Sequence, residues 1–277
     1  MILRGRGLNP GRAEGEAMVS RAPLSFLGGI DPATGAVRDP ATGLEGRSMA
    51  GKVLVFPQGK GSTVGSYVLY AAVRHGVGPR AIVCERAETI VTAGAVLAGI
   101  PLVDRLDAFA IEDGDGVSVD GGTGEVGLEG VREEPVASAF LRRGDRFLLL
   151  RRGPTAPTHP DLWSGVSGLV EGGEAPAERA AKEIEEETGL APTLAARGDP
   201  VYVRLGPRAF RIHPFLFDCP EGEPRLNYEN TEARWVRLEE LDRLPAVPRL
   251  RDALQGALHG SPLGHTGPPQ RGARRRA

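Results

Sequence analysis

The stretch Gly168–Leu190, GLVEGGEAPAERAAKEIEEETGL, limits what this chain can become more than any other segment does. A glycine-rich loop runs into Pro176, whose fixed φ suits the first turn of a helix. Beyond it, Ala177, Ala180, Ala181, Ile184 and Thr188 fall at i, i+3, i+4, i+7 and i+11, so a helix over 177–188 is expected to bury that stripe. Glu183, Glu186 and Glu187 then share another face, because residues three and four apart are neighbours. Like charges in such positions repel by ~0.2–0.5 kcal/mol per pair on an exposed helix. A hard divalent cation, Mg²⁺ or Mn²⁺, removes that cost, taking carboxylate oxygens supplemented by water and substrate phosphates. The loop before the helix is expected to bring the Gly168 carbonyl and the Glu174 carboxylate to the same spot. By itself, EIEEE would be a solvated acidic face. The longer pattern decides otherwise.

That pattern is a Gly, five residues, a Glu, seven residues, an Arg and Glu, then an apolar residue, any residue, two Glu, any residue, Gly and an apolar residue. Gly168, Glu174, Glu183, Glu186, Glu187 and Gly189 occupy its fixed positions, with Ile184 and Leu190 at the apolar ones. The segment resembles the Nudix box. The resemblance implies a mixed sheet sandwiched between helices and the Mg²⁺-dependent (or Mn²⁺-dependent) hydrolysis of a nucleoside diphosphate linked to another moiety. It further implies Glu186 and Glu187 as the main metal ligands, Glu183 and Glu174 completing the site or activating water, and the Gly168 carbonyl as a further ligand. The family's arginine, which orients the catalytic glutamates, is Lys182 here. Lysine keeps the charge for the site and its substrate but loses the planar fork, so reduced activity is expected. Ser167 stands where a second Gly is usual. Glu229 and Glu232 lie where many such proteins supply an extra acid, with exposed structural glutamates as the alternative. Trp163 and Tyr202 are candidates for stacking on a base, with core packing as the alternative.

The N-terminal half follows different rules. Lys52–Phe56, Ala81–Cys84 and Ile100–Val103 read as short strands, and Ser66–His75 and Glu88–Ala98 as helices. They mix without a strict βαβ repeat, which predicts a compact α/β domain. Phe56–Ser66, FPQGKGSTVGS, joins a strand to a helix through a loop with Gly59, Lys60, Gly61, Ser62 and Thr63. Glycines let backbone amides approach a ligand and a helix N-terminus attracts anions, so these residues are candidates for holding a phosphate or carboxylate. The strings GEAMVSRAPLSFLGGIDPATGAV, GKVLVFPQGKGSTVGSYVLY and AETIVTAGAVLAGIPLVD resemble the small subunit of phosphomevalonate dehydratase, the swivelling domain of the aconitase X group. That resemblance implies a proton-acceptor role for Ser62 in the dehydration of (R)-5-phosphomevalonate to trans-anhydromevalonate 5-phosphate, within the mevalonate route to isoprenoids. It places an iron–sulfur cluster in a separate large subunit. Cys84 and Cys219 are the only two cysteines, short of the three or four thiolates a cluster takes, so that partner is required. The family often has a histidine shortly after the aspartate matching Asp39, whereas PATGLEG follows here.

These readings place a swivelling α/β domain over 1–133, a Nudix sandwich over 134–260 and a disordered basic tail over 261–277. Between the domains, Asp113–Glu134 predicts a terminal hairpin and a linker, after which PVASAFLRRGDRFLLLRR predicts two strands turning at Gly144-Asp145. Strands are also expected at Val201–Arg204, Ala209–Phe217 and Ala233–Arg237, and a closing helix at Arg249–Leu258. A net charge of −2 gives no reason to expect nucleic acid as a partner, and no apolar run approaches the length of a membrane span. The start of the chain lacks a signal-peptide pattern, which predicts a cytoplasmic protein. The leading reading is a fusion of two enzymatic modules acting on small phosphorylated molecules. Alternatives are a hydrolase with a non-catalytic docking domain, a regulatory binder in which neither half turns over, and an isomerase of the Nudix superfamily.

Overall fold

The computed structural model describes residues 1–219 and 221–262. They form two compact units, Met1–Glu134 with Tyr202–Arg211, and Pro135–Val201 with the residues from Ile212 on.

In the first unit the strands Val53–Lys60, Ala81–Arg86 and Leu102–Asp104 lie parallel and adjacent, joined by helices α1 (Gly65–Arg74) and α2 (Thr89–Ala98). This is two successive βαβ units, where the sequence predicted no strict repeat. The repeat is masked because its last strand has only three residues. Its first strand also runs four residues past the apolar stretch, since Leu24 and Ser25 pair with Gly59 and Lys60 and extend the ladder. Val53, Leu54, Val55 and Phe56 are all fully buried. Val53 and Val55 enter one apolar core, and Leu54 and Phe56 another. A strand covered on both faces needs an unbroken apolar run, which is why KVLVF does not alternate. Arg12–Val19 adds a strand parallel to Val53–Lys60 at one end and antiparallel to Gly116–Asp120 at the other. The expected hairpin is present as Gly116–Asp120 and Glu125–Leu128, but no linker follows, because Arg132–Arg143 is one continuous strand.

Within this unit Arg204 is nearly enclosed, with 4% of its side chain exposed, and its guanidinium donates to Asp115 at 2.9 Å and to the Ala110 carbonyl at 2.8 Å. Removing one partner of a buried ion pair typically costs about 3–5 kcal/mol. Arg204→Ala is therefore expected to lower the unfolding free energy by that order, read as a lower denaturant midpoint, and a midpoint unchanged from the parent would show that the pair contributes little.

The sheet of the second unit has a core of three long strands, Arg146–Arg152, Arg132–Arg143 and Arg208–Asp218, in that order. Val166–Leu169 pairs with Arg132–Arg143, and Asn230–Arg237 with Arg146–Arg152. Alternate residues point to opposite helices. Leu148 and Leu150 share a core with Ala180 and Ile184 of α3 (Pro176–Thr188), while Phe147 and Leu149 share one with Ala253 and Leu254 of α4 (Leu250–Leu258). The result is the α/β/α sandwich that the sequence predicted. Ser261 and Pro262 pair with Arg197 and Ala196, and the remainder of the expected tail lies outside the described residues. No helix among the described residues is long and apolar enough to cross a membrane.

Helix α3 differs from expectation in one respect that matters for the site. Ala180, Ile184 and Thr188 are buried as predicted, but Ala181 is exposed, and Glu183 and Glu187 are buried at 5% and 4% exposure. The helix is rotated so that two of the three acids lie in the covered face rather than opposite it.

Candidate active sites

In the second unit, α3 is docked on the Val166–Leu169 strand, and Gly168 makes the docking possible. A Cβ built on Gly168 would stand 1.5 Å from Glu183 Oε1 and 2.3 Å from its Cδ. Only a glycine lets that carboxylate lie flat against the strand. Glu187, one turn further on, accepts from Asn230 Nδ2 at 2.6 Å and from the Ser167 amide at 3.3 Å. Burial pushes its carboxyl up to about 8 against the pull of Asn230, with repulsion from Glu183 and Glu229 adding to the rise. Burial also raises Glu183, opposed by Arg179. Two neighbouring buried carboxyls with raised pKa are unfavourable unless a proton or a cation joins them.

The other acids stand at the rim. Glu186 is exposed, and its Oε2 is 3.9 Å from Arg179 Nη2. Glu174 accepts from Lys182 Nζ at 2.7 Å and from the Glu171 amide at 3.3 Å, and the lysine holds its carboxyl below the ordinary range. Arg179 donates to Glu183 Oε1. Among the described residues no three acidic, histidine or cysteine side chains converge on one point. Protein cations instead occupy Glu174 and Glu183. The donor set nonetheless suits Mg²⁺, since all the side-chain donors are hard carboxylate oxygens.

Gly168→Ala tests the packing directly. The new methyl evicts the Glu183 carboxylate, so the hydrolysis that the Nudix resemblance implies should fall by about 100-fold or more, equivalent to at least ~2.7 kcal/mol. Retention of near-parental turnover would show that Glu183 does not act from that position.

Sequence reasoning did not single out Arg179, Asn230 or the Ser167 amide. Arg179 was legible from its i, i+4 relation to Glu183, whereas Asn230 reaches Glu187 across 43 residues with no local signal. Glu229 is close enough to raise Glu187, while Glu232 faces Arg151 at 3.9 Å. Neither aromatic candidate is placed as a stacking platform. Trp163 is 5% exposed within the core that includes Phe140 and Phe147, and Tyr202 packs against the core of the first unit with its hydroxyl donating to Glu133.

In the first unit, the loop expected over 56–66 is shorter, because Gly59 and Lys60 belong to the strand and α1 begins at Gly65. Gly59 admits a close neighbour, but that neighbour is the Glu88 carboxylate, 2.1 Å from where a Cβ would be. Both Glu88 oxygens are occluded and lack a hydrogen-bond partner. Lys60 Nζ pairs with Asp39 Oδ2 at 3.0 Å, which holds the Asp39 carboxyl below its usual range, aided by the Ala41 amide. Gly61, at φ +103°, turns the chain, and Ser62 and Thr63 are exposed beyond it. The Ser62 carbonyl accepts from the Gly65 amide at 2.9 Å, and its hydroxyl accepts from the Val64 amide at 3.3 Å. Ser62 thus stands at the carboxyl end of a parallel strand just ahead of a helix, where open α/β sheets bind ligands. Cys84 and Cys219 are both free and buried, and burial raises the Cys84 thiol far above its ordinary range. Two such thiols do not fit an iron–sulfur cluster.

Residues 2–128 match the family model of the aconitase X swivel domain, described as such, and residues 132–256 match that of the NUDIX domain. The phosphomevalonate dehydratase small subunit of Pyrococcus furiosus is 56% identical over 126 residues, 46% of this chain and 94% of that protein. The chain belongs to the aconitase X swivel family. It carries a Nudix domain as well. Among solved structures, aconitase X of Thermococcus kodakaraensis in its holo-form is 52% identical, covering 46% of this chain and 98% of that one with a TM-score of 0.46. The MutT protein of Methanosarcina mazei Go1 is 28% identical, covering 47% and 94% with a TM-score of 0.41. The swivel-and-Nudix chain joins two family domains in succession, over residues 2–128 and 132–256.

Proposed function

We propose that the Nudix domain hydrolyses a phosphoanhydride of the nucleoside diphosphate type, and that the swivel domain is the small subunit of a phosphomevalonate dehydratase. The first reading is carried by the two buried carboxylates of α3 held against the Gly168 backbone. Glu183 and Glu187, with Glu186, Glu174 and the Gly168 carbonyl, would hold Mg²⁺ or Mn²⁺. The bound cation supplies charge neutralisation at the phosphoryl oxygens and a lowered pKa for the attacking water. The chain's own contribution is position. Asn230 and the Ser167 amide fix Glu187, and Gly168 fixes Glu183. Water oxygen then bonds to phosphorus, the bridging P–O bond breaks, and the water's proton passes to Glu183 as the acceptor. Screening with Mg²⁺ against nucleotide sugars, dinucleoside polyphosphates, modified nucleotides and isoprenoid diphosphates tests this reading. Failure on every class would sink it.

The second reading is supported by the near-complete alignment with a named small subunit and by Ser62 at the carboxyl end of the parallel strands. In it, a separate large subunit contributes the iron–sulfur cluster that assists hydroxide departure, while Ser62 takes the proton from the adjacent carbon. Both modules would then work on small phosphorylated molecules in the cytoplasm.

A further inference from the structure

We propose that Arg179 is the positioning residue for Glu183 in the hydrolysis, the task that the Nudix resemblance gives to position 182. The inference rests on the hydrolase reading above. Arg179 lies one turn ahead of Glu183 on α3, and its Nη2 donates to Glu183 Oε1 along the i, i+4 row. The same nitrogen is 3.9 Å from Glu186 Oε2, so one guanidinium spans the two acids. Its side chain is 24% exposed, turned in toward the site, whereas that of Lys182 is 56% exposed. Lys182 is engaged elsewhere. Its ammonium clasps Glu174 at 2.7 Å, and Glu174 in turn caps the loop through the Glu171 amide.

Glu183 is thereby held from two sides. The Gly168 backbone blocks retreat on one, and Arg179 Nη2 holds Oε1 on the other. The rigid guanidinium donates from Nη2 in a fixed direction, which a freely rotating ammonium does not. The arginine-to-lysine change at 182 is thus offset by an arginine one helical turn before Glu183, and the lysine is released to hold the loop. Arg179 Nε is occluded and has no acceptor, so the side chain reaches both acids through Nη2.

The test compares Arg179→Ala, Arg179→Lys, Lys182→Ala and Lys182→Arg in the full chain, with kcat and KM for the substrate found in the screen. Mn²⁺ affinity is measured in parallel by electron paramagnetic resonance without substrate. Arg179→Ala should lower kcat about 30-fold or more with KM within about threefold, and Arg179→Lys should restore only part of the loss. Without the competing cation, Arg179→Ala should also bind Mn²⁺ about threefold tighter or more, while Arg179→Lys stays near the parent. Lys182→Ala should cost less in kcat than Arg179→Ala. A greater loss in Lys182→Ala, or a fivefold gain in Lys182→Arg, would return the role to position 182 and overturn the proposal, as would unchanged Mn²⁺ affinity in Arg179→Ala. If the parent chain hydrolyses nothing, the hydrolase reading falls, and the Mn²⁺ comparison still decides whether Arg179 holds Glu183. Arg179→Lys keeps helix propensity and charge, so it remains informative if Arg179→Ala is unstable.

Discussion

Glu187→Gln is expected to cut Mg²⁺-dependent hydrolysis by about 1,000-fold, near 4 kcal/mol of transition-state stabilisation, while leaving the metal-free fold intact. The two halves of that expectation have one origin. Glu187 is 4% exposed, and burial raises its carboxyl well above the ordinary range, which favours its neutral form in the metal-free protein. Glutamine copies that neutral form in size, and its carbonyl keeps the shorter bond from Asn230 while the longer one from the Ser167 amide is lost. What it cannot copy is the negative oxygen that a divalent cation requires. Melting in EDTA should match or exceed the parent, because a buried carboxyl with a raised pKa opposes folding above its ordinary pKa. Near-normal turnover in Mg²⁺ would remove Glu187 from the ligand set. A large drop in melting temperature would instead make it a structural residue.

The contrast between the halves shows what a sequence carries. Helix α3 was legible because three local signals coincide in it: Pro176 at its first turn, an apolar row at Ala180, Ile184 and Thr188, and Gly189 in the left-handed conformation at its end. Its rotation was not legible. Binary patterning places charged residues outward, and the burial of Glu183 and Glu187 depends on Gly168 and Asn230 arriving from other strands. In the first unit, the apolar runs marked the parallel strands, yet their order was hidden, because Leu102–Asp104 is short and Val53–Lys60 continues through a proline and a glycine. Gly59 looked like a ligand-binding glycine and instead makes room for Glu88, a partner 29 residues away that no local pattern announces. Pairings of long range decide these details, and they are written in no single segment.

The purified chain alone should show no dehydration of 5-phosphomevalonate. The reaction removes a proton from carbon and a hydroxide from its neighbour, and hydroxide is a poor leaving group without an electrophilic centre. The chain has two cysteines, both buried, fewer than the three or four an iron–sulfur cluster takes, so it cannot build one alone. It has Ser62, exposed on the turn at Gly61 and backed by the Lys60–Asp39 pair. A serine is a weak base in water and gains strength only where surrounding groups stabilise its ionised form, which an exposed loop does not supply until a second surface closes over it. Adding a cognate large subunit, reconstituted anaerobically with its cluster, should therefore create activity where neither chain has any. Ser62→Ala should abolish that activity without weakening assembly, as measured by co-elution of the two chains. Glu187→Gln should leave it untouched, since that residue belongs to the other module's chemistry. Full dehydration by Ser62→Ala would remove the serine from the proton transfer. Failure of any large subunit to bind would leave the swivel domain as a docking module, with hydrolysis as the chain's one reaction.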